Sequence, residues 1–171
     1  NELVKNINYI EKENLHLSVS LRSFRSEKVS NFVKLLLDND IPNASELYKE
    51  IRKDYPIFLT RDINTAKAWI KTKAKGSERY GMIASSGAKR LRKYGIWIQN
   101  KVEAEKWFLN PKNDIRSSYF LEETATEFDI QGLELDWTIV CWDANLRYNQ
   151  NFEYYNFTGD SWKNINKEEI R

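Results

Sequence analysis

Apolar residues follow the two spacings of regular secondary structure over the first third of the chain. They alternate with polar residues at 15–21, which predicts a strand. At 29–37 the apolar spacing becomes helical and stops at the polar run 38–40, so a helix is predicted to end there. The helical spacing returns at 45–51 and predicts a second helix.

After these helices, short apolar runs alternate with further helical patterns. Asp62 or Asn64 is suited to cap a helix that carries Ala66, Trp69 and Ile70. A short basic helix is predicted further on. The predicted strands are residues 55–60, 81–84, 121–128 and 137–142, and the basic helix is residues 88–93.

This alternation of strand and helix predicts an α/β domain with a mainly parallel sheet and helices on both faces. Leu17, Val19, Ile139 and Val140 are expected on central strands of that sheet. At 171 residues the chain has room for one full domain. Residues 148–171 are aromatic and rich in Asn, and we expect an irregular tail there, forming an extended hairpin or a docking segment.

Composition narrows the class of protein. The apolar content of 41% and charged content of 30% are typical of a globular rather than a disordered chain. No apolar run approaches the roughly 20 residues that span a bilayer, so no membrane association is predicted. The chain has one cysteine, Cys141, which excludes an internal disulfide. It has one histidine, His16, so too few soft ligands are present for a zinc site and no metal site is predicted. We interpret Cys141 as a core residue and expect a reducing, cytoplasmic setting.

Charge is distributed unevenly along the chain. Residues 1–100 carry 19 Lys and Arg against 11 Asp and Glu, a balance of +8, whereas residues 101–171 carry 8 against 14, a balance of −6. The basic excess has two interpretations, a solvated helix face or a track along a nucleic-acid backbone. Its residues are Lys67, Lys71, Lys73, Lys75, Arg79, Lys89, Arg90, Arg92 and Lys93.

Two segments carry a more specific signal. The first is LRSFRS at 21–26, a strand end that delivers two arginines before a helix, and the second is ATEFDIQGLELD at 125–136. In spacing and order they resemble motifs IV and V of superfamily 1 helicases. Both motifs belong to the second RecA-like lobe of those enzymes, which has a P-loop NTPase-type parallel sheet.

Three further segments extend the resemblance to one family. They are YPIFLTRD at 55–62, ASSGAKRLR at 84–92 and DIRSS at 114–118. Together with the two motifs they resemble the schlafen-type, group 3 DNA/RNA helicase-like ATPases of bacteria and archaea. The resemblance covers about residues 15–162.

The resemblance implies roles for individual residues. Arg25 matches the arginine that senses the γ-phosphate and stabilises charge during phosphoryl transfer. Gln131 would lie near the phosphates, Gly132 would let the backbone approach the nucleotide at a strand-to-helix turn, and Glu134 would accept from the ribose hydroxyl. Thr126 matches a threonine that holds a nucleic-acid phosphate.

Other interpretations of these residues stay open. Arg25 also suits a surface ion pair, and Glu134 suits an ordinary solvated acid. If Arg25 and Glu134 share a nucleotide, we expect both at the carboxyl ends of strands. Arg90 and Arg92 are candidates for nucleic-acid contact from their charge alone.

The sequence lacks a phosphate-binding loop, an Asp-Glu pair for magnesium and the segment that supplies a second arginine. It also starts without Met, so we expect a fragment without motif VI whose ATP, Mg²⁺ and first RecA-like lobe belong to a longer protein. The expected function is the second lobe of an ATP-dependent DNA or RNA helicase or translocase, inactive alone. The alternative is a helicase-like regulatory module that docks a partner without coupling to ATP.

Overall fold

The computed structural model describes residues 27–98 and 101–165. The chain divides into two compact units, Asn1–Ile57 and Phe58–Arg171. The predicted strand at 15–21 and the candidate residue Arg25 lie outside the described residues.

The first unit confirms the two predicted helices. They are α1, Glu27–Leu37, and α2, Ile41–Ile51. The second helix begins earlier than the apolar spacing indicated, because Pro42 suits a first turn and the Asp40 carboxylate accepts from the Asn43 N–H. The rings of Phe32 and Tyr48 have centroids 5.6 Å apart and join the two helices.

The second unit is a mixed α/β unit with two sheets. Strand β1 lies between β2 and β3 and runs parallel to both, while β4, β5 and β6 form an antiparallel meander. Its described elements are α3, Ile63–Lys73; β1, Tyr80–Ala84; a 3-10 helix, Lys89–Tyr94; α4, Ala104–Leu109; a 3-10 helix, Ser118–Phe120; β2, Thr124–Thr126; β3, Trp137–Cys141; β4, Leu146–Asn149; β5, Asn151–Thr158; and β6, Ser161–Asn164.

Helices pack on both faces of the parallel sheet, as predicted. Side chains alternate along β1, so Met82 packs on one face in a cluster with Ile70 of α3. Ile83 points to the other face and packs in a second cluster, which contains the fully buried Trp107 of α4. The capping prediction for α3 is also confirmed, because the Asp62 carboxylate accepts from two backbone N–H groups of the first turn.

Strand β3 lies at an edge of the sheet formed by the described residues, not at its centre. The prediction of a central position for Ile139 and Val140 is therefore not met within this sheet. Val140 is 59% exposed on the face opposite to the buried Cys141 side. When both faces of a strand carry apolar residues, the sequence pattern does not distinguish an edge strand from a central strand.

Two predicted strands differ from the observed chain. Residues 55–60 form no strand, since Pro56 has no N–H to donate to a ladder and Leu59 is 93% exposed. Of the residues predicted as a strand at 121–128, only Thr124–Thr126 form one, strand β2. Leu121 sits in the left-handed region with φ 61°, and the chain turns after Thr126.

The basic helix predicted at 88–93 is confirmed as the 3-10 helix Lys89–Tyr94. Gly95, with φ 79°, caps its end. Of the two forms expected for the tail, the extended hairpin is confirmed by β5 and β6, so the tail is regular through Asn164. Gly159 and Asp160 both have positive φ, the geometry of a two-residue turn that suits twisted hairpin strands.

Among the described residues, no helix is both long and apolar enough to cross a bilayer.

The interpretation of Cys141 as a core residue is confirmed and leads to a prediction. Burial raises the pKa of its thiol to about 11. At pH 8 only about one thiol in a thousand is then a thiolate, the reactive form. We expect a disulfide reagent at pH 8 to label Cys141 at least ~100-fold faster in denaturant than in the native protein. Equal rates in the two states would contradict its burial.

Candidate functional site at the carboxyl edge of the parallel sheet

The three parallel strands end side by side. In the sheet register, Ala84 of β1 is paired with Thr126 of β2 and with Cys141 of β3. The loops that follow the three strands therefore emerge at one edge. In open α/β sheets ligands bind outside this edge.

A carboxylate ties the loop after β2 to the loop after β1. Ser86 donates to Glu127 through its backbone N–H at 2.8 Å and through its hydroxyl at 2.7 Å, one bond to each carboxylate oxygen. Partial burial acts to raise the pKa of Glu127, but these hydrogen bonds outweigh it and lower that pKa below its usual value. Glu127 is therefore a fixed anion that holds the two loops together.

The loop after β3 joins the same network. The Asn145 side-chain amide donates to the Ser85 hydroxyl at 3.1 Å, and the buried Asp143 carboxylate accepts from the Arg90 backbone N–H at 3.3 Å. The N–H of Ala144 donates to the other oxygen of Asp143 at 2.7 Å. All three loops of the carboxyl edge are thus cross-linked by polar side chains.

The candidate threonine lies at this edge, and its hydroxyl already has a partner. Thr126 is the last residue of β2, and it donates to the Asp129 carboxylate through its N–H at 2.8 Å and its hydroxyl at 2.7 Å. Its side chain is buried. A hydroxyl can still accept one further bond while it donates to Asp129.

The remaining candidates from the second motif follow on an exposed turn. Gln131 and Gly132 are exposed, and Gly132 has φ 83°, a left-handed conformation in which glycine carries no steric cost. The chain then extends directly into β3 without forming a helix, so the predicted strand-to-helix turn is wrong.

Glu134 lies between the exposed turn and β3, on the segment that runs back toward the amino edge of the sheet. It does not directly follow a strand. Two residues later, the Asp136 carboxylate accepts from the N–H of Arg79, the residue before β1, so the chain has by then reached the amino edge of the sheet. The expectation that Glu134 lies at the carboxyl end of a strand is therefore wrong. Its proposed neighbour Arg25 is outside the described residues.

The structure separates the two candidate arginines of the basic segment. The Arg90 guanidinium lies 5.2 Å from the Trp162 ring centroid and 5.9 Å from that of Phe157, against the antiparallel sheet. Arg92 is exposed, and its guanidinium lies 4.1 Å from the ring centroid of Trp97. Arg90 is committed to packing, whereas Arg92 faces solvent.

Sequence reasoning did not select the residues that cross-link the edge: Ser85, Ser86, Glu127, Asp143 and Asn145. The available signal was that Ser85, Ser86 and Asp143 come directly after predicted strands, whereas Glu127 lies within the strand predicted at 121–128. Periodicity does not show which of these groups meet, because Ser86 and Glu127 are 41 residues apart. Within residues 27–98 and 101–165, no group of three acidic, Cys or His side chains is arranged to hold a metal ion.

One family model matches the whole chain. It is described as Schlafen group 3, DNA/RNA helicase domain, and the match covers residues 1–171. No curated protein and no solved structure matches the chain significantly.

Proposed function

Because the chain belongs to the Schlafen group 3 DNA/RNA helicase family, we propose that it forms the second RecA-like lobe of an ATP-dependent helicase or translocase. The observation that carries this proposal is the edge that joins Thr126 and the turn after it to the loop after β1. Such an edge is where open α/β sheets bind ligands.

The nucleotide contacts in this proposal come from the exposed turn and from Arg25. Gln131 offers an exposed amide on this turn, and the left-handed Gly132 carries no side chain. These groups suit the ribose and one side of a phosphate chain. ATP, when bound, supplies the phosphoryl group whose transfer releases the energy.

The described residues do not fit a complete Mg²⁺-nucleotide site. They include no cluster of three ligating side chains, and the sequence has no phosphate-binding loop. We therefore assign the metal and most phosphate contacts to a first RecA-like lobe in the longer protein. In this chain Glu127 keeps the turn of the second motif fixed against the loop after β1.

The nucleic-acid side of the proposal rests on Thr126 and on the basic 3-10 helix. Thr126 would bind a backbone phosphate by donating its hydroxyl, which would have to leave the Asp129 carboxylate to which it donates in this structure. Arg92 would contribute an exposed guanidinium, whereas Arg90 would act by fixing the basic helix to the antiparallel sheet.

A second candidate function is a docking module without ATP coupling. The antiparallel meander favours it, because its strands are rich in aromatic residues and Tyr148 is 57% exposed. Aromatic side chains are enriched at protein–protein interfaces. In that case the parallel sheet would serve only as a scaffold for the meander.

ATP turnover separates the two functions. We expect the 171-residue chain alone to hydrolyse no ATP, since it has no phosphate-binding loop. The longer protein should hydrolyse ATP, and addition of single-stranded DNA or RNA should stimulate the turnover. A variant of the longer protein without residues 1–171 is the control and should lose the turnover, because it lacks Arg25. A longer protein with no ATP turnover at all would favour the docking module.

A further inference from the structure

One exposed surface combines unpaired cations with aromatic rings. It consists of the 3-10 helix Lys89–Tyr94 and the segment after it, and its exposed or half-exposed groups are Lys89, Arg90, Arg92, Lys93, Tyr94 and Trp97. We name it the cation–aromatic surface. Residues 85–98 contain four cations and no acidic residue.

The four cations have no carboxylate partner among the described residues. Five other basic side chains there form ion pairs, namely Lys28, Lys34, Lys67, Lys106 and Arg116. On the cation–aromatic surface the charges lie against rings instead, with Arg92 over Trp97 at 4.1 Å and the Lys93 ammonium 4.9 Å from the Tyr94 centroid. Arg92 and Lys93 are exposed and remain available to an anionic ligand, whereas Arg90 packs against Trp162 and Phe157.

The backbone forces the two rings outward. Ile96 and Ile98, on either side of Trp97, are both buried, whereas Trp97 is 41% exposed. Tyr94 ends the 3-10 helix, is 62% exposed and precedes Gly95, whose left-handed conformation turns the chain. The buried Leu91 anchors the helix below them. The rings are therefore held at fixed positions beside the cations.

We propose that this surface binds single-stranded nucleic acid, with bases stacked on Tyr94 and Trp97 and with Arg92 and Lys93 near the phosphates. The ligand class rests on the proposed function; the surface itself rests on the geometry above. Rings that stack on bases need unpaired bases, since the faces of paired bases are covered within a duplex. Cations alone would suit single strands and duplexes equally.

Binding of labelled oligonucleotides to the 171-residue chain tests the proposal. The probes are oligothymidylate and oligouridylate long enough to cover a site of about 4–16 nucleotides, and a duplex of equal length. We expect Tyr94→Ala and Trp97→Ala each to weaken single-strand binding about 5- to 100-fold, as loss of one base stack does. Trp97→Phe should retain most of the affinity because it keeps a ring.

Salt dependence tests the cations separately. On single strands each phosphate contact contributes roughly 0.7 to the slope of log K against log salt, so Arg92→Ala with Lys93→Ala should flatten the slope by about 1.4. Tyr94→Ala should leave the slope unchanged. The matched controls are Lys49→Ala with Lys53→Ala, two exposed cations in and just after α2, and Phe120→Ala, a 40%-exposed ring before β2.

Three results would overturn the proposal: unchanged affinity in Tyr94→Ala and Trp97→Ala, equal losses in the controls, or tighter binding of the duplex. Circular dichroism of each variant checks its fold, and Trp97→Phe keeps the test decisive if Trp97→Ala is unfolded.

ATP turnover distinguishes a failure of the cation–aromatic surface from a failure of the proposed function. If the longer protein shows strand-stimulated turnover that Tyr94→Ala and Trp97→Ala leave unaltered, this surface is wrong and the helicase assignment stands. If the chain binds single-stranded nucleic acid through these rings but the longer protein has no ATP turnover, the surface stands and the helicase assignment is wrong.

Discussion

In the longer ATP-hydrolysing protein that we propose, replacing Arg25 by Ala is expected to lower kcat for ATP hydrolysis by about 10³-fold or more. By its resemblance to motif IV, Arg25 would contact the γ-phosphate and stabilise the charge that develops during transfer. Loss of an interaction made mainly in the transition state lowers kcat and leaves ATP binding nearly unchanged. Steady-state turnover and the Kd of a non-hydrolysable ATP analogue measure the two effects.

Two substitutions sharpen this test. Arg22→Ala is the matched control, since Arg22 lies in the same segment but not at the matching position. Arg25→Lys keeps the charge but loses the planar fork of the guanidinium, so it should restore little of the rate. Turnover that is insensitive to Arg25→Ala would favour the docking module over the motor.

Replacing Trp107 by Ala is expected to lower the free energy of unfolding by about 3–5 kcal/mol. Trp107 is a residue of α4 and is fully buried against the parallel sheet. Its indole N–H donates to the Glu123 carbonyl at 3.2 Å. That loss is a large part of the roughly 5–15 kcal/mol that stabilises a typical domain. Chemical denaturation followed by circular dichroism measures it. Trp97→Ala is the matched control and should cost far less, because Trp97 is 41% exposed.

A double-mutant cycle tests the cause of this effect. A Cβ added at Gly81 would lie 2.7 Å from Cζ2 and 2.8 Å from Cη2 of Trp107. Gly81→Ala alone should therefore cost about 1–3 kcal/mol through overpacking. In the Trp107→Ala background the clashing atoms are gone, so the same change should cost much less. Additive effects would mean that the two residues do not contact each other.

Local patterns predicted most of the helices. The amphipathic spacing of α1 depends on side chains within a few turns. The start of α3 is set by the N-cap Asp62, whose carboxylate accepts from the N–H groups of Asn64 and Thr65. The apolar runs of β1 and β3 were also found, because both strands carry apolar residues toward a core. Such features need no knowledge of distant parts of the chain.

The arrangement of the site could not be predicted from local patterns, because it depends on pairing between strands that are far apart in sequence. The second motif named Thr126, Gly132 and Glu134 but not their surroundings. The bond of Glu127 to Ser86, and the return of Glu134 toward the amino edge, follow from the parallel pairing of β1 with β2 and β3. A linear pattern contains the polar residues after each strand but not the partner that each one meets.

The sequence by itself determined the family, the α/β class and the order of most elements, since these depend on motif spacing and on periodicity within short windows. Only the tertiary structure decided that Arg90 packs on Trp162 while Arg92 faces solvent, although they are two residues apart. It also decided that β4 extends the hairpin of the tail into a three-stranded sheet. Both outcomes depend on contacts between residues more than 60 positions apart or on hairpin register, and charge and composition are the same whichever contacts form.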